Sequence, residues 1–242
     1  MYKCLVSGGC SFAYGFNLKD RDKRYAKIIS QRLNMKLIDV SAAGMTNEFI
    51  SAATVSGINK ALQQYKSDEI LVIVGWTTTE RFEYFNKRIG RIMSGYVNLS
   101  HHRHGSAKRE EDREISIVIS DHMWDPSYGY YKLLNSFNYV HNFCKAQGVA
   151  VIHKHNVKYY PAHFPDIKLN NTEVRNSDLI GLCLTADAKE HFDRMTVERS
   201  FQDFVDINRY WNIPGKDTHP NERGNMLWAE RLMVKHPELM ER

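Results

Sequence analysis

Short apolar runs alternate with segments of helical spacing along the first half of the chain, and this alternation leaves few folds open. Cys4-Leu5-Val6 runs through Ser7 into Gly8-Gly9 and reads as a buried strand entering a tight turn. Tyr25, Ile28, Ile29 and Leu33 recur at helical spacing, and Lys36–Val40 follows as a second short strand. Asn47 precedes another periodic segment to about Tyr65. Glu69–Val74 is then a third strand, the most apolar of the set and therefore central. Strands alternating with helices in this way predict an α/β fold, with a mainly parallel sheet flanked by helices.

The second half is less regular. Between Phe85 and Pro126 the pattern breaks into Gly90, Gly95, the cluster His101-His102-Arg103-His104-Gly105, a charged run and one apolar stretch, Ile115–Ile119. This segment, 85–126, is expected to be an insertion that starts on the site edge of the sheet, where long loops act as lids or substrate walls. Tyr128–Gln147 reads as a helix with Tyr131, Leu134, Phe137, Val140 and Cys144 on one face, closed by Gly148 before a strand Val149–His153. Lys158–Asp178, with Pro161 and Pro165, is expected to be irregular. A final helix is expected to begin near Pro220, with the proline in its first turn, and to run through Leu227, Trp228 and Leu232. At 242 residues and 43% apolar content the chain suffices for one full core, and one domain spanning 1–242 is expected.

In an open parallel sheet, sites lie beyond the carboxyl ends of the strands. Ser11, Gly44 and Thr77 each follow one of the three strands, which brings them to one edge. A serine in a glycine-flanked turn is commonly only a turn residue. Here, however, Asp217-Thr218-His219-Pro220 supplies a carboxylate two residues before a histidine, in a segment that the proline keeps extended. Asp217 would hold the His219 imidazole in the tautomer that takes the Ser11 proton. The alternative for His219 and Asp217 is capping of the last helix. Gly44 either permits a tight turn or lets its N–H approach an oxyanion, and the two readings are compatible.

Ser7-Gly8-Gly9-Cys10-Ser11, Gly44 within Asp39–Asn47, and Asp217 with His219 together resemble the SGNH (GDSL-like) hydrolase superfamily. The resemblance implies a three-layer α/β/α sandwich of the flavodoxin-like SGNH type. It also implies a Ser11-His219-Asp217 triad, an oxyanion hole that includes the Gly44 block, and hydrolysis of a small-molecule or carbohydrate ester, acetyl esters included, with no cofactor. Cys10 stands where the family usually has aspartate and is expected to be buried. The third block also departs from the pattern: the family's Gly-x-Asn-Asp is replaced by Gly75-Trp76-Thr77-Thr78, so the asparagine donor is missing. Removing one such donor typically costs about 10²–10³ in turnover. Thr77 or Thr78 would have to donate instead, or Asn47 reach in from the second block. Just beyond, Arg81 either pairs with Glu83 or holds an anionic group of the substrate.

Two other functions fit the same residues: a ligand-binding protein of this fold without turnover, and a metal-dependent phosphoesterase using His101, His102 and His104 or His153 and His155. The first histidine group falls in a loop and the second has no acidic ligand nearby in sequence, so no metal is expected. Trp76 and Tyr128–Tyr131 read as packing rather than a sugar-stacking platform. Cys4, Cys10, Cys144 and Cys183 lack zinc spacing or a secreted framework and read as reduced thiols. With no signal-peptide pattern and no long apolar span, a cytoplasmic protein without membrane contact is expected. The net charge of +5 is dispersed, dense only from Arg103 to Arg113, and argues against a nucleic-acid surface.

Overall fold

The computed structural model describes residues 1–97, 110–157, 167–169, 172–174, 176–213 and 217–237. Its centre is a four-stranded parallel sheet built from β1 (Cys4–Gly9), β2 (Lys36–Asp39), β3 (Ile70–Trp76) and β6 (Ala150–His155), in the order β2-β1-β3-β6. Every residue of β1 and β3 is buried, as expected of inner strands covered on both faces. Between the strands run α1 (Ser11–Tyr14), α2 (Tyr25–Arg32) and α3 (Asn47–Leu62). The path from β1 to β2 and the path from β2 to β3 travel in opposite directions across the sheet. Right-handed crossovers therefore place α2 and α3 on opposite faces. The contacts agree: α3 packs with α5 (Pro126–Gln147), and α2 packs with α9 (Glu222–Lys235).

The three strands expected in the first half form within two residues of their expected ends. Asn47 is the first helical residue of α3, and the cap is Thr46, whose hydroxyl accepts from the Phe49 N–H at 3.3 Å. Asp125 caps α5, with Pro126 in its first turn, and Gly148 closes it at φ +67°, the left-handed conformation that glycine adopts without a Cβ penalty. Pro220 does not open the last helix. It ends β10 (Asp217–Pro220), which pairs antiparallel with β9 (Trp211–Ile213), and Asn221 caps α9 by accepting from the Gly224 N–H at 2.8 Å.

The segment 85–126, expected to be an insertion, contains regular structure among its described residues. A hairpin of β4 (Arg81–Asn86) and β5 (Arg91–Tyr96) leaves directly from the end of β3, and the apolar stretch Ile115–Ile119 lies within a helix, α4 (Glu110–His122). His101, His102 and His104, and most of Lys158–Asp178, lie outside the described residues. The described parts of the latter contain the short hairpin β7 (Ile167–Leu169) and β8 (Thr172–Val174) and the start of α6 (Asn176–Cys183). Two further helices, α7 (Ala186–Val197) and α8 (Phe201–Asn208), complete the chain before β9. On one side of the sheet Phe137 lies edge-on to Phe192 at 5.2 Å, and elsewhere Phe201 stacks on Trp228 at 4.9 Å. Among the described residues no helix is long and apolar enough to cross a membrane.

Candidate active site

Parallel pairing sets Gly9 beside Gly75 and Ser7 beside Asp39, so the ends of β1, β2 and β3 lie on one edge. Both Gly9 and Gly75 leave room for the amide of Asn156, just past β6. An added Cβ at Gly75 would overlap that amide, which donates to the Gly75 carbonyl at 3.2 Å and to Cys10 Sγ at 3.9 Å. Cys10 is fully buried, and Ser11 follows it as the first residue of α1, so its N–H lies ahead of the helical hydrogen-bond ladder.

The end of the sheet edge also receives β10. His219 Nε2 lies 2.9 Å from Ser11 Oγ, and His219 Nδ1 lies 2.6 Å from Asp217 Oδ1. The carboxylate is itself held. Its Oδ1 also accepts from the His219 N–H at 3.1 Å, and its Oδ2 accepts from the side-chain amides of Asn17 at 2.8 Å and Asn212 at 3.1 Å. Burial alone pushes the Asp217 pKa up, but the donors from Asn17, His219 and Asn212 together outweigh it and hold the carboxyl at about 2. Asp217 is therefore ionised at neutral pH and ready to accept from Nδ1–H. That leaves Nε2 as the acceptor facing Ser11. The rings of Phe12 and Phe16, each 5.1 Å from the imidazole, bracket it with apolar surface.

Gly44 sits in a turn at φ +84°, a conformation costly for any residue with a Cβ. The side chain of Asn47 is committed elsewhere: its Oδ1 accepts from the Thr77 N–H at 2.9 Å, and its Nδ2 donates to the carbonyls of Thr77 and Thr78 at 3.3 and 3.4 Å. It joins the second block to the end of β3. The Thr77 hydroxyl is buried with no hydrogen-bond partner among the described residues, and the Thr78 hydroxyl accepts from the Glu80 N–H at 3.3 Å. Arg81 is buried and donates through Nη1 to the Met45 carbonyl at 2.9 Å, while Glu83 takes the Thr46 hydroxyl. Sequence reading missed Asn17, Asn212 and Asn156. Isolated asparagines carry no motif, although Asn17 at φ +63° marks the kind of turn that asparagine tolerates.

His153 and His155 are buried on β6, and burial drives both imidazoles toward the neutral form, His155 down to about 3. His153 Nδ1 accepts from Trp76 Nε1 at 3.2 Å, which makes Trp76 a core residue. One group of potential metal ligands does assemble among the described residues, His141, Asp187 and His191, with ligand atoms within 4.8 Å of one another. Asp187 there already binds His141 Nε2 and Lys145 Nζ, each at 2.9 Å, and these two bonds, the His141 bond foremost, hold its pKa at about 2. None of the three belongs to the Ser11 cluster. A cleft of about 680 Å³ between α2 and α9, lined by Arg32, Glu222 and Arg223 among others, likewise contains none of Ser11, Asp217 or His219.

No family model and no curated protein sequence matches the chain. Several solved structures are similar to it. A member of the lipolytic protein G-D-S-L family from Veillonella parvula DSM 2008 aligns over 97% of this chain and 98% of its own at 13% identity, with a TM-score of 0.47. The psychrotrophic esterase EstA from Pseudoalteromonas sp. aligns over 99% and 100% at 12% identity and a TM-score of 0.46. A two-domain esterase active on acetylated mannans aligns over all of this chain and 50% of its own at 13% identity and a TM-score of 0.48. The chain thus has a parallel sheet ordered β2-β1-β3-β6 with helices on both faces, and at the end of that sheet Ser11, Asp217 and His219 lie together.

Proposed function

We propose that the protein is a serine ester hydrolase in which Ser11 is the nucleophile, His219 the general base and acid, and Asp217 the residue that orients the imidazole. One observation carries this reading: the continuous chain of hydrogen bonds from Ser11 Oγ through both ring nitrogens of His219 to an ionised Asp217. Ser11 Oγ attacks the ester carbonyl as its proton passes to Nε2. The tetrahedral intermediate then collapses, and the alcohol leaves with that proton. Water, deprotonated by the same nitrogen, attacks the acyl-enzyme, and Ser11 Oγ departs with the proton returned. The Ser11 and Gly44 N–H groups are the donors for the oxyanion in both intermediates.

The test is hydrolysis of p-nitrophenyl acetate and butyrate by the wild type, Ser11→Ala and His219→Ala, with fluorophosphonate labelling of the same proteins. Turnover by the wild type that falls to background in both variants, with labelling lost in Ser11→Ala, supports the reading. A wild type that neither turns over nor labels rejects it and favours the ligand-binding alternative. That second reading has one observation in its favour: the Asn47 amide and the Thr77 hydroxyl, two of the candidate side-chain donors, are turned to internal bonds or sealed.

A further inference from the structure

Strand alternation puts Arg81 and Glu83 on one face of β4, and the hairpin register places Ser94 of β5 directly opposite Glu83. These three side chains engage three consecutive residues of the turn that follows β2. Ser94 Oγ donates to the Gly44 carbonyl at 2.6 Å, Arg81 Nη1 donates to the Met45 carbonyl at 2.9 Å, and Glu83 accepts from the Thr46 hydroxyl. Thr46 is doubly used, because the same oxygen caps α3. The next residue, Asn47, is tied to the end of β3. Each residue from Gly44 to Asn47 thus has a partner on the segment 77–94, which begins within the block that departs from the family pattern, Gly75-Trp76-Thr77-Thr78, and runs on into the hairpin.

We propose that this hairpin face is the positioning device of the oxyanion hole: Arg81, Glu83 and Ser94 fix the peptide planes that follow the Gly44 amide, and so aim that N–H at the developing oxyanion. The proposal rests on the ester-hydrolase reading. Preorganised donors stabilise charge without reorganising at the moment of reaction, so a rigid backbone donor offsets part of what a missing side-chain donor costs. Gly44 is the residue most in need of such fixing, since a glycine at positive φ has the widest conformational freedom of any residue. An added Cβ would also stand 3.3 Å from Ser94 Oγ, so the hairpin packs against the turn at close range. Ser94 is the cleanest handle because its hydroxyl touches a carbonyl of the turn and leaves the cap of α3 alone.

The experiment compares wild type, Ser94→Ala, Ser94→Thr and Ile92→Ala, the last an exposed residue of the same hairpin. Steady-state kinetics on p-nitrophenyl acetate are read together with the amide proton shift of isotopically labelled Gly44 before and after phosphonylation of Ser11. Loss of one hydrogen bond to the turn is expected to lower kcat about tenfold in Ser94→Ala with KM little changed. Threonine is expected to restore kcat, and Ile92→Ala to stay within about twofold of wild type. The Gly44 amide is expected to move downfield on adduct formation in the wild type and less in Ser94→Ala. An active wild type whose kcat and Gly44 shift are untouched by Ser94→Ala overturns the positioning role alone, as does an equal loss in Ile92→Ala. A wild type that neither hydrolyses nor labels overturns the hydrolase reading and this inference with it.

Discussion

Asp217 accepts four hydrogen bonds from three parts of the chain, and that is what makes it more than a counter-ion. Asp217→Asn keeps the shape but places an amide where an acceptor of Nδ1–H is needed. Its kcat on p-nitrophenyl acetate is expected to fall about 10⁴-fold through the wrong tautomer. Asn17→Ala removes one outer donor, and its loss is expected to stay within about tenfold in the same assay. Thr77 poses a sharper question because its hydroxyl is buried and unpartnered among the described residues. Thr77→Val is expected to keep kcat within about threefold and to hold or raise Tm, since a buried unpaired hydroxyl costs stability. A loss beyond about 100-fold would instead make Thr77 the third oxyanion donor. That Ser11, His219 and Asp217 would meet could be read from the sequence because each lies in a short, directional motif. The outer donors were not, because Asn17 and Asn212 meet Asp217 only through the fold.

The elements that read well are those whose signal is local. β1 opens on an apolar run and β3 is a nearly continuous one, and α5 has an aspartate cap, a proline in its first turn and a closing glycine. The β4–β5 hairpin did not read as one, because Arg81–Asn86 carries charged and polar residues on the face that binds the Gly44 turn, which blurs the alternation of a half-buried strand. β10 was legible as an extended segment from Pro220, whereas the helix start was displaced: the cap, Asn221, was the better signal than the proline before it. Asn221→Ala is expected to lower stability by about 1 kcal/mol, checked by urea denaturation. Because α9 follows directly on β10, the same variant tests whether the His219 segment keeps its place: retained fluorophosphonate labelling is the expected result.

Across the whole molecule, acid stability follows from depressed carboxylates. Asp217 titrates at about 2 when folded against about 3.9 when unfolded, so the unfolded chain binds the proton first as pH falls. Its contribution is complete above about pH 4 and is lost between there and about pH 2. Glu198 adds in the same sense. Burial raises its pKa, but Lys154, bonded to it, and Lys235 bring it below the usual range. Tm is expected to start falling below about pH 6.5, where the unfolded chain protonates the histidines that the fold buries neutral, His153 and His155, and to drop further below about 4, with a shallower acid limb in Asp217→Asn, as followed by calorimetry. The hydrogen bond that the Ser11 hydroxyl donates to His219 Nε2 joins residues 208 positions apart. At roughly 5–20 residues per second of synthesis, Ser11 emerges on the order of ten to forty seconds before His219 has been made. On the ester-hydrolase reading proposed above, a nascent chain would carry an inert hydroxyl until residue 219 has been made and folded into place.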